Sequence, residues 1–157
     1  MGQLILIADR TSADVELVER LAAKGLANMS TEELAVWYSD LKGAYNAVDL
    51  NRVGEAINHV AARLRAAGNN IEVSPKTDWT REDIPSPAQM VHYLEQIQKV
   101  RDVLAVYQTT PSVPSDMEDL THTEANDIEK ILVDIDQLIT NMIAAYHYSG
   151  DLYGGEV

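Results

Sequence analysis

The chain contains no cysteine and no phenylalanine. The first absence excludes disulfides and thiolate metal sites, and by itself says nothing about redox compartment. The second leaves the larger apolar positions to Leu, Ile, Val and Tyr. Basic residues are scarce as well: 12 Lys and Arg stand against 25 Asp and Glu, a formal charge of −13. That argues against binding nucleic acid through a broad basic face. No apolar run approaches the roughly 20 residues a membrane helix needs. Leu4-Ile5-Leu6-Ile7-Ala8 is too short for the apolar core of a signal peptide and has no basic stretch before it. These absences point to a protein made and kept in the cytoplasm, or assembled from there.

Catalytic signatures are also missing. His59, His92, His122 and His147 form no metal-binding spacing, and there is no Gly-x-Ser-x-Gly and no phosphate-binding loop. Asp134 and Asp136 stand two apart on a helical pattern, so they point to different faces and cannot share an ion; they read as a solvated acidic face. Glu124, Asp127 and Lys130 read as ordinary surface pairing. Asp78, Glu82 and Asp83 cluster near Trp79 and Arg81. Paired carboxylates beside an aromatic occur in sugar-cleaving sites, but the same residues serve as turn formers and helix-entry charges, which is the favoured reading. No catalytic, cofactor-binding or metal-binding residue is assigned, and no cofactor is expected.

What is present is a globular composition: 157 residues, 46% of them hydrophobic, enough for one domain with its own core. Residues 3–8 are β-prone. Thr11 and Ser30 each open a capping box. The helix after Thr11 turns Val15, Val18, Leu21 and Ala22 to one face and stops at Gly25. The helix after Ser30 carries Leu34, Trp37, Tyr38 and Leu41 and closes at Lys42-Gly43. The two form a helical hairpin. Asp49 then caps a helix carrying Val53, Ala56, Ile57, Val60 and Leu64. Residues 71–75 alternate like a short edge strand, and pairing with residues 3–7 would give a two-stranded ribbon.

The Trp79 stretch follows. Ser86 caps the next helix with Pro87 at its first position. That helix turns Met90, Tyr93, Leu94, Ile97, Val100 and Leu104 inward. After a linker at 109–114, Thr123 caps the last long helix, with Ile128, Ile131, Leu132, Ile135, Leu138, Ile139 and Met142 inside. The caps Asp49, Ser86 and Thr123 are evenly spaced, 37 residues apart, with similar apolar stripes after each. Such a period suggests stacked units, which make binding surfaces more often than catalytic pockets. Equal gaps also arise by chance in helical proteins.

The expected fold is mainly α: a helical bundle of about five helices, with weak helical repeats and a minor two-stranded β element. It is a single helical domain over 1–145, comprising the hairpin (9–43) and repeat-like units at 44–75, 76–113 and 114–145. A Tyr/Gly-rich tail occupies 146–157. In that tail, Tyr146, Tyr148, Leu152 and Tyr153 offer apolar area with polar handles, a composition that interfaces favour. Trp37 and Trp79 are expected to be structural anchors.

Two stretches carry a resemblance. Lys42-Gly43-Ala44-Tyr45-Asn46 leads into Asp49-Leu50-Asn51-Arg52-Val53, and Lys76-Thr77-Asp78-Trp79-Thr80 leads into Ile84-Pro85. With the Asp9-Arg10-Thr11 start, this pattern resembles small helical structural proteins of tailed phages and prophages of Gram-positive bacteria, components of the tail tip, baseplate or fibre region. The resemblance spans roughly residues 9–145, and its motifs are short. It implies a non-enzymatic virion part, made in the host cytoplasm, that assembles with copies of itself and with neighbouring tail or baseplate proteins. It implies no nucleic-acid or membrane partner. Two other classes stay open: an acidic inhibitor that imitates DNA, whose signature is carboxylates clustered at phosphate-like spacing, and a carbohydrate-binding module that uses an exposed Trp79.

Overall fold

The computed structural model describes residues 4–154, with side chains through residue 147. Five helices form: α1 (Ser12–Lys24), α2 (Thr31–Trp37), α3 (Ala47–Ala66), α4 (Pro87–Val103) and α5 (His122–Gly154), with a short 3-10 turn at Leu26–Asn28. The chain is mainly helical, and α3, α4 and α5 pack on one another as a bundle. The periodic stripes explain why. Val53, Ile57, Val60 and Leu64 of α3 are fully buried, as are Ile97 and Val100 of α4. Ile128, Ile131, Leu132, Ile135 and Ile139 of α5 complete the core.

Capping sets most of the boundaries. Thr11, Ser30 and Ser86 each accept from the amide three residues on and receive a side-chain bond in return. Two starts differ from expectation. α3 is capped by Asn46, and Asp49 sits at its third position, accepting from the Asn46 N–H. α5 begins after Thr121, not Thr123, because Glu124 completes a reciprocal pair with Thr121. Asn126, the residue that would complete the pair with Thr123, is bonded to Arg10 instead. With caps at Asn46, Ser86 and Thr121, the even spacing is gone.

The two-stranded ribbon is not present among the described residues, where no strand forms. Both segments run without secondary structure, and their backbone groups go to helix side chains instead of to each other. The Ile7 N–H donates to Glu129, and Asn126 exchanges two bonds with the main chain of Arg10, at 2.9 Å each. In the second segment, Arg65 donates to the Ile71 carbonyl and the Ser74 N–H donates to buried Gln96. Once those donors and acceptors are satisfied, there is no drive to pair strands.

The hairpin lies at the edge. α2 is one residue longer than six, stops at Trp37, and buries none of its residues; Tyr38 is exposed. In α1 only Leu21 is buried, and Ala22 faces out. Gly43 closes no helix. It lies against the main chain of α1, where an added Cβ would come 2.1 Å from the Asp14 carbonyl oxygen, so this joint between hairpin and connector requires glycine.

Candidate functional site

Arg10, Asp49, Arg52 and Glu129 meet in a buried ion cluster. Arg10 Nη2 lies 2.9 Å from Asp49 Oδ1 and 2.8 Å from Glu129 Oε1. Arg52 Nη2 reaches the same two oxygens, and its Nε donates to Glu129 Oε2. Arg10 also donates to the carbonyls of Ile7 and Lys42, and its guanidinium sits 5.4 Å from the centre of the Tyr45 ring. Glu129 is fully buried, and its Oε2 takes the Ile7 N–H as well. Two cations face two carboxylates, so the cluster is neutral and saturated. Burial by itself would lower the Arg52 pKa; the hydrogen bonds to Glu129 and Asp49 outweigh it and raise it. The cluster ties the N-terminal arm, the connector, α3 and α5 together.

Beside it, the Tyr45 and Tyr93 hydroxyls hydrogen-bond to each other. Burial pushes both phenols' pKa upward, Tyr93 well above the ordinary value, and the nearby Glu129 and Asp49 charges act in the same direction. Unfolded tyrosine ionises near pH ~10. The folded state therefore holds these protons where the unfolded state releases them, and the associated stability is present below about pH 10 and lost as pH rises further. In an alkaline absorbance titration, Tyr45 and Tyr93 should stay protonated while exposed tyrosines ionise, then titrate as the chain unfolds. Replacing Tyr93 with Phe should remove one of the two late-ionising groups.

The Trp79 stretch is held from α3. The Asn51 side-chain amide donates to the Trp79 carbonyl at 2.9 Å, and the Trp79 N–H donates back to Asn51 at 2.8 Å. Gly54, one turn on, lets Lys76 approach: a Cβ there would stand 2.8 Å from the Lys76 carbonyl oxygen. Asp83 closes a turn by accepting from the Thr80 amide and hydroxyl, and Asp78 pairs with Lys76. Of these acids, Asp83 serves as a turn former. Trp79 is buried in the core, 7% exposed, and Lys76 covers its ring at 5.0 Å. Trp37 is only half-buried; it borders a cleft of about 390 Å³ shared with Val18, Leu41, Tyr45, Leu50 and Trp79.

Several other acids are likewise engaged. Asp134 is not a solvated acid: it is 8% exposed and bonds buried Thr110 and Lys130. Asp136 pairs with Arg63 on another face of α5. Hydrogen bonds at helix N-termini hold the pKa values of Asp14 and Glu124 below the ordinary range, and the Lys24 ammonium, followed by the Ser30 N–H, does the same for Glu33. Among the described residues, no group of three or more His, Asp or Glu is placed to hold a metal ion. No helix there is long and apolar enough to cross a membrane.

The expected interface residues lie at the end of α5. The helix continues without a break through the 145/146 boundary to Gly154. Tyr146 is 81% exposed. Tyr148, Leu152 and Tyr153 belong to this helix, and their side chains lie outside the described set. Met142, expected inside, is exposed, and so is Ile143. Ile139 is the last buried residue, and every described residue after it faces solvent.

Compared with known proteins, the chain matches no family model, no curated protein and no solved structure.

Proposed function

We propose that this chain is a non-enzymatic structural protein of a tailed phage or prophage particle, mediating assembly in the tail, baseplate or fibre region. The observation that carries the reading concerns the motifs behind the resemblance. Arg10, Asn51, Arg52 and Trp79 come from three separate stretches, and all turn inward. Arg10 and Arg52 share Asp49 and Glu129, while Asn51 clamps the Trp79 main chain. A motif set of this kind is the signature of a fold, not of a reaction. Part of the outward apolar surface, Met142, Ile143 and Tyr146, lies together on the last turns of α5, where an assembly contact could use it.

The other two classes lack such support. Asp49, Glu129, Asp134 and Asp136 are paired within the fold, and Asp14, Glu33 and Glu124 cap helices, so these acids are not free to imitate a phosphate array. The burial of Trp79 gives no support to a sugar-binding platform there.

The test is the composition of intact particles. Tailed particles purified from a lysate of the encoding bacterium, digested and quantified by mass spectrometry, should contain this chain at a fixed copy number relative to the other tail proteins. Intact particles without it overturn the reading.

A further inference from the structure

Helix α5 has 33 residues, against 20 in α3 and 17 in α4. At 1.5 Å per residue it runs about 50 Å, while its partners run about 30 Å and 26 Å. It therefore outlasts the bundle. Its core stripe does not stop there. Ile128, Leu132, Ile135 and Ile139 are fully buried at alternating spacings of four and three, and the same alternation continues to Met142 and Tyr146, which are 42% and 81% exposed. Ile143, 43% exposed, widens the stripe. A spacing that averages 3.5 is that of a helix seam that winds around another helix.

The charge pattern says what covers this seam. The molecule carries −13, so two copies repel over most of their surface. From Gln137 through Gly150 there is no Asp, Glu, Lys or Arg. This is a neutral length in an acidic chain, and it coincides with the projecting stripe. A basic partner would be met by acids along the seam; between Asp136 and Asp151 there are none. A second copy brings the same neutral Met, Ile and Tyr surface, which is self-complementary under a two-fold axis. The backbone argues likewise, because the few turns of α5 beyond Ile139 are a short helical end, which in water is marginal on its own and gains its stability by packing an apolar face.

We infer that the C-terminal end of α5 is a homodimer contact, in which Met142, Ile143 and Tyr146 of one copy pack against the same residues of a second. This rests on the assembly reading above and names its partner: another copy of this chain.

The test is sedimentation of the full chain over a range of loading concentrations, beside the Met142→Glu/Tyr146→Glu double variant and a Val91→Glu control. Val91 is an exposed apolar residue on α4, away from the seam. The wild type and the control should sediment as dimers. The double variant should be weakened about 100-fold or more, since charges placed in a desolvated contact centre are costly. Its melting temperature at low concentration should match that of the wild-type monomer. The milder Met142→Ser/Tyr146→Ser pair should weaken the dimer in the same direction, which guards against misfolding of the first variant. A monomeric wild type, or a dimer indifferent to both variants, overturns the contact. The two readings separate cleanly. A monomer found in purified particles defeats the contact and leaves the virion role standing. A dimer absent from particles does the reverse.

Discussion

Replacing Glu129 with Ala should cost about 3–5 kcal/mol, the usual consequence of removing one partner from a buried ion network. For a domain of this size that corresponds to a fall of about 10–15 °C in melting temperature. The reason is the charge count. With Glu129 gone, the Arg10 and Arg52 guanidiniums share only Asp49 in a site where Arg10 is 4% exposed. The Ile7 N–H loses its acceptor at the same time, which loosens the N-terminal arm. Pairing the change with Arg10→Met restores neutrality, because Arg52 and Asp49 remain as a pair. The double variant should then cost clearly less than the sum of the two single variants, the non-additivity expected of residues in one network. Thermal and urea unfolding followed by circular dichroism would measure all four chains. Strict additivity would mean that the cluster does not act as a unit.

The second large effect is expected at Trp79. Trp79→Ala should lose about 3–5 kcal/mol, the cost of emptying a large aromatic site in a close-packed core. Trp79→Phe should lose far less, about 1–2 kcal/mol for the smaller ring. The difference follows from the ring volume that phenylalanine keeps in the core, and the lost indole nitrogen adds little to either variant. Trp79 Nε1 is buried and has no hydrogen-bond partner among the described residues, so phenylalanine forfeits no bond and relieves an unsatisfied donor. The Asn51 clamp grips the main chain and survives in both variants. Only two tryptophans are present, so either variant leaves Trp37 as the sole indole emitter, a direct check on the half-buried hairpin. A Phe variant that loses well beyond about 2 kcal/mol while still unfolding cooperatively would show that Nε1 does have a partner in solution.

Much of this architecture is legible in the sequence because local rules and global packing agree. The apolar stripes of α3, α4 and α5 follow helical spacing, and most positions marked as core are buried; Met90, Leu104 and Leu138 are half-buried and Met142 is exposed. Ser86-Pro87 and Ser30 open helices because a side-chain oxygen and the amide three residues on are always within reach of each other. Where two local candidates compete, the sequence cannot choose. Asn46 and Asp49, or Thr121 and Thr123, differ only in what the remaining partner is needed for. Asp49 and Asn126 are both taken by Arg10.

The ion cluster was the main feature missed, although one signal was available. Glu129 follows Ala125 by four and precedes Leu132 by three, which places a carboxylate on a core stripe. A buried carboxylate needs a cation, yet nothing local says that the cation comes from residue 10. The ribbon expected at 3–7 and 71–75 failed for a related reason. Alternation shows that a segment is extended and half-buried; it does not show who takes its backbone hydrogen bonds. Helix side chains took them here. Met142 misled in the opposite way. Its periodicity is unbroken, and only the lengths of α3 and α4 decide that the bundle ends before it.

The sequence by itself determined the mainly helical class, the three core stripes, three of the five helix caps and the lack of any local catalytic motif. Each of these is fixed by residues within a turn or two of one another. Only the tertiary structure decided that Arg10, Asp49, Arg52 and Glu129 share one site, that Trp79 turns inward, and that the α5 stripe runs out beyond its cover. Those outcomes depend on residues as far apart as 10 and 129, whose meeting is set by how helices of unequal length pack and not by any local rule.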